Sequence, residues 1–249
     1  MTSALTIAGS DSSGGAGIQA DLRTFAAFGV TGLSAVTAVT VQDSAGVQEA
    51  FQIPADLVAR QIGSALDEGT TAAKTGMLGN SAVVEAVVQA LCAAPVLKLV
   101  VDPVMASTSG FRLLDKQGVA ALVSHLLPTC LLVTPNLDEA EELSGLTVLT
   151  TDQMREAARV IHDKGPPGVL ITGGHLEGDP TDVFFDGSSF TEMRGKRVQK
   201  ADTHGTGCVL SAAITARLAL GDSVLDAIAT AKEFVTETLL QRPGGKRES

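Results

Sequence analysis

Short runs of Val, Ile, Leu and Ala recur along the chain, separated by longer amphipathic or alanine-rich stretches, and this alternation constrains the fold more than any other feature. Apolar runs of that kind suit strands buried on both faces, and the stretches between them suit crossover helices. The pattern therefore predicts the α/β class, with βα units around a largely parallel sheet. Strands are expected at Leu5–Ala8, Ala35–Val41, Ala72–Thr75, Leu97–Val101, Leu131–Val133 and Val169–Ile171. Helices are expected at Ile18–Phe28, Ala55–Glu68, Ala82–Ala93, Gln117–Leu127, Leu137–Ser144, Asp152–Lys164, Gly207–Leu220 and Val224–Leu240. Val183–Phe185 and Phe190–Met193 flank Asp186-Gly187-Ser188-Ser189, which reads as a hairpin. No linker or internal repeat divides the chain, so residues 1–242 read as one domain and the polar stretch 243–249 as a tail that should fray.

Composition narrows the function. At 249 residues with 45% apolar content, the chain can bury a large core. Eighteen basic against 28 acidic residues leave a net charge of −10, and no basic stripe offsets it. Such a surface is a poor partner for nucleic acid or anionic membranes. Eight Phe, with no Tyr or Trp, leave few platforms on which bases could stack. Cys92, Cys130 and Cys208 are odd in number and widely spaced, which argues against a disulfide framework or a zinc site and for a reducing, cytoplasmic setting. The first apolar run, Ala4 to Ala8, is too short for a signal peptide or a membrane span.

One junction carries chemistry. Asp202-Thr203-His204-Gly205-Thr206-Gly207-Cys208 opens directly into a small-residue helix pattern. Glycines at a helix start leave backbone N–H groups uncovered, and the helix dipole adds partial positive charge there, so the segment reads as an anion site. Cys208 falls in the first turn, where the helix end and a nearby cation can lower a thiol pKa; taken alone it reads first as a buried structural cysteine, and the flanking glycines shift the balance toward chemistry.

In open α/β sheets ligands sit beyond the carboxyl ends of the strands, which directs attention to the residues just after each one. The loop Gly9 to Gly17 is rich in Gly and Ser and invites a phosphate-loop reading, but Gly14-Gly15-Ala16 stands where a Walker motif needs Gly-Lys-Ser/Thr. Gln42 offers a donor and an acceptor in one plane, or is a solvated strand-end amide. Met77 by itself reads as core. Asp102, and Asn136 with Glu139, stand at strand ends where carboxylates can hold Mg²⁺; acidic first turns are also favoured by the helix dipole alone.

The chain resembles hydroxymethylpyrimidine and phosphomethylpyrimidine kinases, a thiamine-biosynthesis family of the ribokinase superfamily. The resemblance rests on the Asp202–Cys208 signature followed by Leu210-Ser211-Ala212-Ala213, and on Leu5–Ser12, Gly14–Asp21, Thr40-Val41-Gln42, Lys74-Thr75-Gly76-Met77-Leu78-Gly79, Val101–Met105, Thr134-Pro135-Asn136 and Gly173-Gly174-His175-Leu176. It implies a ribokinase-like three-layer α/β/α sandwich. It also implies Mg·ATP-dependent phosphorylation of the hydroxymethyl group of 4-amino-5-hydroxymethyl-2-methylpyrimidine, and then of the monophosphate. By the same resemblance Cys208 is the base, with Gly205, Thr206 and Gly207 forming the anion hole around the transferring phosphoryl group. Gly9, Ala16, Asp21, Val41, Gln42, Met77 and Val104 are implied at the pyrimidine, with Gln42 reading its amino and ring-nitrogen edge. Asn136, Thr172, Thr203, Gly205 and Gly207 are implied at ATP, Asp102 and Glu139 at Mg²⁺, and a homodimer is the usual assembly.

Departures from the family pattern stand beside these matches. Thr172 occupies a position where many members carry Lys before Gly-Gly-His-Leu, so a cation near the ATP phosphates is either missing or supplied from elsewhere; Lys200 and Arg197 read as stand-ins or as solvated surface charges. The chain ends at Pro243-Gly244-Gly245-Lys246-Arg247-Glu248-Ser249 without the family's common Gly-x-Gly-Pro ending. His204 belongs to the signature and reads as a solvated loop imidazole ahead of a phosphate contact, and His175 is similar. A pyridoxal or pyridoxine kinase, or a non-catalytic pyrimidine sensor, is the alternative function.

Overall fold

A computed structural model describes residues 1–43, 46–92, 97–107, 109–174, 176, 178–199, 203–242 and 246–247. In chain order the strands are β1 (Ser3–Asp11), β2 (Thr31–Asp43), β3 (Gly46–Gln52), β4 (Ala72–Thr75), β5 (Lys98–Val101), β6 (Leu132–Val133), β7 (Gly168–Ile171), β8 (Thr181–Phe185), β9 (Phe190–Arg194), β10 (Val198–Gln199) and β11 (Lys246–Arg247). The helices are α1 (Gly17–Ala27), α2 (Ala55–Asp67), α3 (Ser81–Cys92), α4 (Lys116–Ala121), α5 (Leu137–Ser144), α6 (Thr151–His162), α7 (Thr206–Ala219) and α8 (Val224–Gln241).

Nine strands form one sheet in the order β3-β2-β1-β4-β5-β6-β7-β8-β9. The six from β2 to β7 in that order run parallel, and β3, β8 and β9 pair antiparallel at the two edges. Side chains alternate across the sheet, as a two-residue period requires. Leu5, Ile7, Ala73, Leu99, Val101, Val133, Val169 and Ile171 face a core completed by α2, α3, α5 and α6. Ala72, Val100, Leu132 and Leu170 face the opposite core, against α7 and α8, while Ala4 meets α1 there. These are the three layers of a single α/β/α domain.

Helix α7 is buried along nearly its whole length, from Val209 to Ala216 and at Leu218. Its Ala and Ser side chains let it lie close to the sheet between α1 and α8. This sets its first turn against the carboxyl end of the central strands.

The structure departs from expectation in three places. Strand β3 falls in a segment too polar to read as a strand, and it pairs only with β2 at the sheet edge. The helix expected at Gln117–Leu127 is α-helical only to Ala121; Leu122–Leu126 widens to a π-helical turn and Leu127–Thr129 tightens to a 3₁₀ turn containing Pro128, which has no N–H to continue the ladder. The tail expected to fray instead supplies Lys246–Arg247, paired antiparallel with Val198–Gln199. Pro243, Gly244 and Gly245 lie outside the described residues.

Candidate active site

From β1 the chain steps to β2 on one side, and β4 then pairs with β1 on the other, so the strand order reverses at β1. Crevices at such reversals, beyond the carboxyl ends of the strands, are the expected ligand sites of open α/β sheets. A cavity of about 170 Å³ opens there. Its walls are Ala8 to Asp11 from β1, Ala16 and Gly17 at the start of α1, Thr40 and Gln42 from β2, Gly76 and Met77 after β4, Asp102 and Val104 after β5, Asn136 and Glu139 at the start of α5, and His204, Gly205, Gly207 and Cys208 around the start of α7. That volume suits one small ring and is well below the roughly 300 Å³ at which pockets for larger ligands begin.

Two glycine-rich loops meet over the cavity, and their backbones are used differently. In the loop before α1, the carboxylate of Asp11 accepts hydrogen bonds from Ser13 N (2.8 Å), Ser13 Oγ (2.8 Å) and Ala16 N (2.7 Å), while the Asp11 carbonyl accepts from Gly14 N. Burial works against the Asp11 charge, but these bonds and His204 outweigh it and hold the carboxyl below its ordinary range. With the amides of Ser13, Gly14 and Ala16 committed to Asp11, this part of the loop is a folded wall rather than a phosphate loop. In the second loop Gly205 caps α7 in the left-handed region (φ 76°), with no side-chain cap and no acidic residue in the first turn. Thr206 N donates to the Thr203 carbonyl, and among the described residues no side chain caps the rest of the first turn, the condition under which backbone N–H groups and helix dipole can act together on an anion.

The loops are joined by His204, contrary to the expected solvated imidazole. Its Nε2 lies 3.0 Å from Gln42 Nε2 and 3.3 Å from Asp11 Oδ2, and its carbonyl accepts from Arg242 Nη1 (2.8 Å). Gly205 sits so close to the first loop that a Cβ there would lie 2.1 Å from the Gly15 carbonyl oxygen.

Opposite α7, helix α5 has a closed start. Asn136 Oδ1 accepts from Glu139 N (2.9 Å) and Glu139 Oε2 accepts from Asn136 N (2.9 Å), a reciprocal capping box. The Asn-x-x-Glu spacing thus has a structural use, yet both side chains also line the cavity. Burial and the nearby Asp102 carboxylate push Glu139 up to about 8. Asp102 is raised too, by burial first, with Lys74 and the Ser211 hydroxyl (2.9 Å from Oδ2) acting the other way. Asp102 repels charge on Glu139, and a divalent cation would favour the ionised form of both acids. Mg²⁺ favours one or two carboxylates together with waters and phosphate oxygens, so this pair fits it. Among the described residues no group of three or more His, Cys, Asp or Glu gathers into an all-protein metal cage.

Cys208 differs from expectation. Burial pushes its thiol up to about 12, the Asp102 and Asp21 carboxylates act the same way, and Lys74 with the Gly17 amide only partly oppose them. The helix start does not outweigh desolvation here.

The expected site residues divide into two groups. Cys208, Gly205, Gly207, Gly9, Ala16, Gln42, Met77, Val104, Asn136, Asp102 and Glu139 converge on the cavity. Asp21, Val41, Thr172, Thr203 and Thr206 do not line it. Asp21 is fully buried against Thr6 and Lys74. Val41 is half exposed on β2, and Thr172 N donates to the Pro135 carbonyl just beyond β7. Arg197, a candidate replacement for the missing lysine, instead donates to the carbonyls of Gly174, Leu176 and Gly178. Lys200, Asp202 and His175 lie outside the described residues. Sequence reasoning assigned no role to Lys74 or Asp11; a lysine inside a short strand run and an Asp followed by Ser-Ser-Gly-Gly were the available signals.

The pattern of the phosphomethylpyrimidine kinase family matches residues 11–247. The chain belongs to that family. It is 46% identical to the hydroxymethylpyrimidine/phosphomethylpyrimidine kinase of Streptomyces coelicolor over 93% of this chain and 86% of that one. It is also 46% identical to a chloroplastic thiamine biosynthetic bifunctional enzyme of Arabidopsis thaliana, over 94% of this chain, and there it spans about half of the relative's length (46%). Among solved structures, an ADP complex of Bacillus subtilis pyridoxal kinase superposes with a TM-score of 0.89 at 41% identity, covering 95% of this chain and 91% of that one. The architecture is thus the ribokinase-like one the resemblance implies, and the family is one of phosphotransferases that use ATP as donor.

Proposed function

We propose that residues 1–242 form a cytoplasmic, homodimeric kinase that transfers the γ-phosphoryl group of Mg·ATP to the hydroxymethyl group of 4-amino-5-hydroxymethyl-2-methylpyrimidine and then to the resulting monophosphate. The observation that carries this reading is the open start of α7 facing the buried carboxylates Asp102 and Glu139 across a cavity of single-ring size. Asp102 and Glu139 would hold Mg²⁺, which would supply positive charge to offset that of the phosphates.

The chain's own residues do the remaining work. Gln42 presents its amide to the amino and ring-nitrogen edge of the pyrimidine, and Met77 packs on the ring. The first-turn amides of α7 hold the charge of the phosphoryl group in flight. Cys208 is protonated at rest; its thiolate, a minor form reached when the thiol first releases its own proton to solvent, orients the acceptor hydroxyl and takes up that proton late, as a loose phosphoryl transition state permits. The Asp11 loop and Gly205 exclude water by closing on each other.

A second reading, pyridoxal kinase, is favoured by the likeness to the Bacillus subtilis enzyme. The deciding experiment is ADP release with Mg·ATP and, in parallel, the hydroxymethylpyrimidine, its monophosphate, pyridoxal and pyridoxine. Turnover of both pyrimidines at higher kcat/KM than the vitamin B6 compounds is expected. The reverse order would transfer the assignment to pyridoxal kinase, and ligand binding without ADP release would leave a sensor. Sedimentation velocity tests the dimer.

A further inference from the structure

Lys74 sits on β4, on the face that carries Ala72 toward α7, and is fully buried. Its Nζ donates to Asp21 Oδ1 at 2.9 Å and lies 3.8 Å from Asp102 Oδ2. Asp21 is itself held by Thr6 Oγ1 (2.6 Å), and Thr6 is the cross-strand neighbour of Lys74. On the far side, the Ser211 hydroxyl lies within hydrogen-bond reach of both Asp102 Oδ2 (2.9 Å) and the Gly207 carbonyl (3.0 Å). A polar strut therefore runs from β1 and α1 through Lys74 to Asp102 and the first turn of α7.

Neutralising one buried lysine needs only one carboxylate, and Asp21 supplies it. The second carboxylate is surplus to that need, and Lys74 also acts electrostatically on the Cys208 thiol. Among the described residues that line the cavity there is no lysine or arginine. The positive charge beneath the transfer site is thus Lys74, set behind the wall.

We propose that Lys74 is a positioning residue for phosphoryl transfer: a fixed cation, anchored by Asp21, that aligns the Asp102 carboxylate and favours negative charge at Cys208. This rests on the kinase reading above. Lys74 keeps its proton throughout and touches neither substrate nor nucleotide. Burial alone would favour its neutral form, but Asp21, Cys208 and Asp102 together raise its pKa.

Removing Lys74 alone would strand Asp21, so the test compares Asp21→Asn with the double variant Asp21→Asn/Lys74→Met. Lys74→Gln in the same background serves as a second version should the Met variant not fold. Three readouts are taken: pyrimidine affinity by calorimetry on metal-free protein, alkylation of Cys208 by iodoacetamide in a Cys92→Ser background, and kcat for monophosphate formation. The expected result is affinity within about threefold of Asp21→Asn, alkylation at least fivefold slower, and kcat at least tenfold lower, since thiol reactivity follows thiolate content and kcat reads only what is lost in the transition state. Equal kcat and equal alkylation in the two proteins would overturn the proposal, leaving Lys74 as a counter-ion for Asp21. Absence of turnover by the wild type would instead defeat the kinase reading, while the alkylation comparison would still judge Lys74.

Discussion

The Gly9–Gly17 and Thr203–Cys208 segments are both glycine-rich loops, both run into a helix without a side-chain cap and both line one cavity, yet only the first folds around a carboxylate of its own. The difference is a single carboxylate. Asp11 lies inside its loop and takes up the amides of Ser13 and Ala16, whereas α7 begins with a left-handed glycine and, among the described residues, has no side-chain cap. Glycine supplies the backbone freedom in each case, but whether a loop receives an anion depends on whether it already contains one.

The largest expected effect comes from forcing the two loops apart. Gly205→Ala places a Cβ at positive φ, 2.1 Å from the Gly15 carbonyl, so both loops must shift. Strain of this kind costs on the order of 1–3 kcal/mol, and displacing a site by an ångström costs about 100-fold in rate. Thermal unfolding and kcat/KM should both fall; an unchanged kcat/KM would mean that the contact between the loops is dispensable.

Cys208→Ala should come next. Removing a proton acceptor typically costs about 10²–10⁴-fold. The loss should fall on monophosphate formation, because the acceptor in the second transfer is a phosphate already ionised. Single-turnover assays of the two steps read this directly, and equal losses would refute the role of the thiol as base.

Smaller effects should appear as opposite pH dependences of stability at the two walls. Asp11 has a lowered pKa, so its contribution is present above the ordinary Asp value of 3.8 and disappears as pH falls below it; Asp11→Asn should flatten acid unfolding in that range. Glu139 is raised to about 8, so the metal-free protein binds a proton that the unfolded chain releases, and stability should fall as pH rises from about 4.5 to about 8. Glu139→Gln should remove that slope. Urea midpoints across pH decide both, and a slope that persists in either variant would assign it to another group.

Much of this arrangement was legible in the sequence. The six parallel strands are short apolar runs with no competing reading, and the structure has a strand at each within a few residues. Strand β3 was not legible because it is a polar edge strand, stabilised by pairing with β2 rather than by burial. The cavity residues that follow strand ends could be found from the pattern, since chain direction places them. Asp21 could not be placed in that way: its partner Lys74 is distant in sequence, and only the fold reveals that the two neutralise each other. The high thiol pKa of Cys208 was hidden for the same reason, because the helix start is local while the burial and the carboxylates around it are tertiary.

The open helix start can be tested by closing it gently. Gly207 lies in the first turn of α7, lines the cavity, and has nothing within 4 Å of where a Cβ would stand. Alanine there should stabilise the helix, by up to about 1 kcal/mol, while covering the exposed amides. The direct measurement is thermal unfolding and kcat of Gly207→Ala side by side. A melting temperature equal to or above that of the wild type, with kcat reduced about tenfold or more, is the predicted pair. A stabilised variant with undiminished kcat would contradict the claim that the phosphoryl group is received at the start of α7.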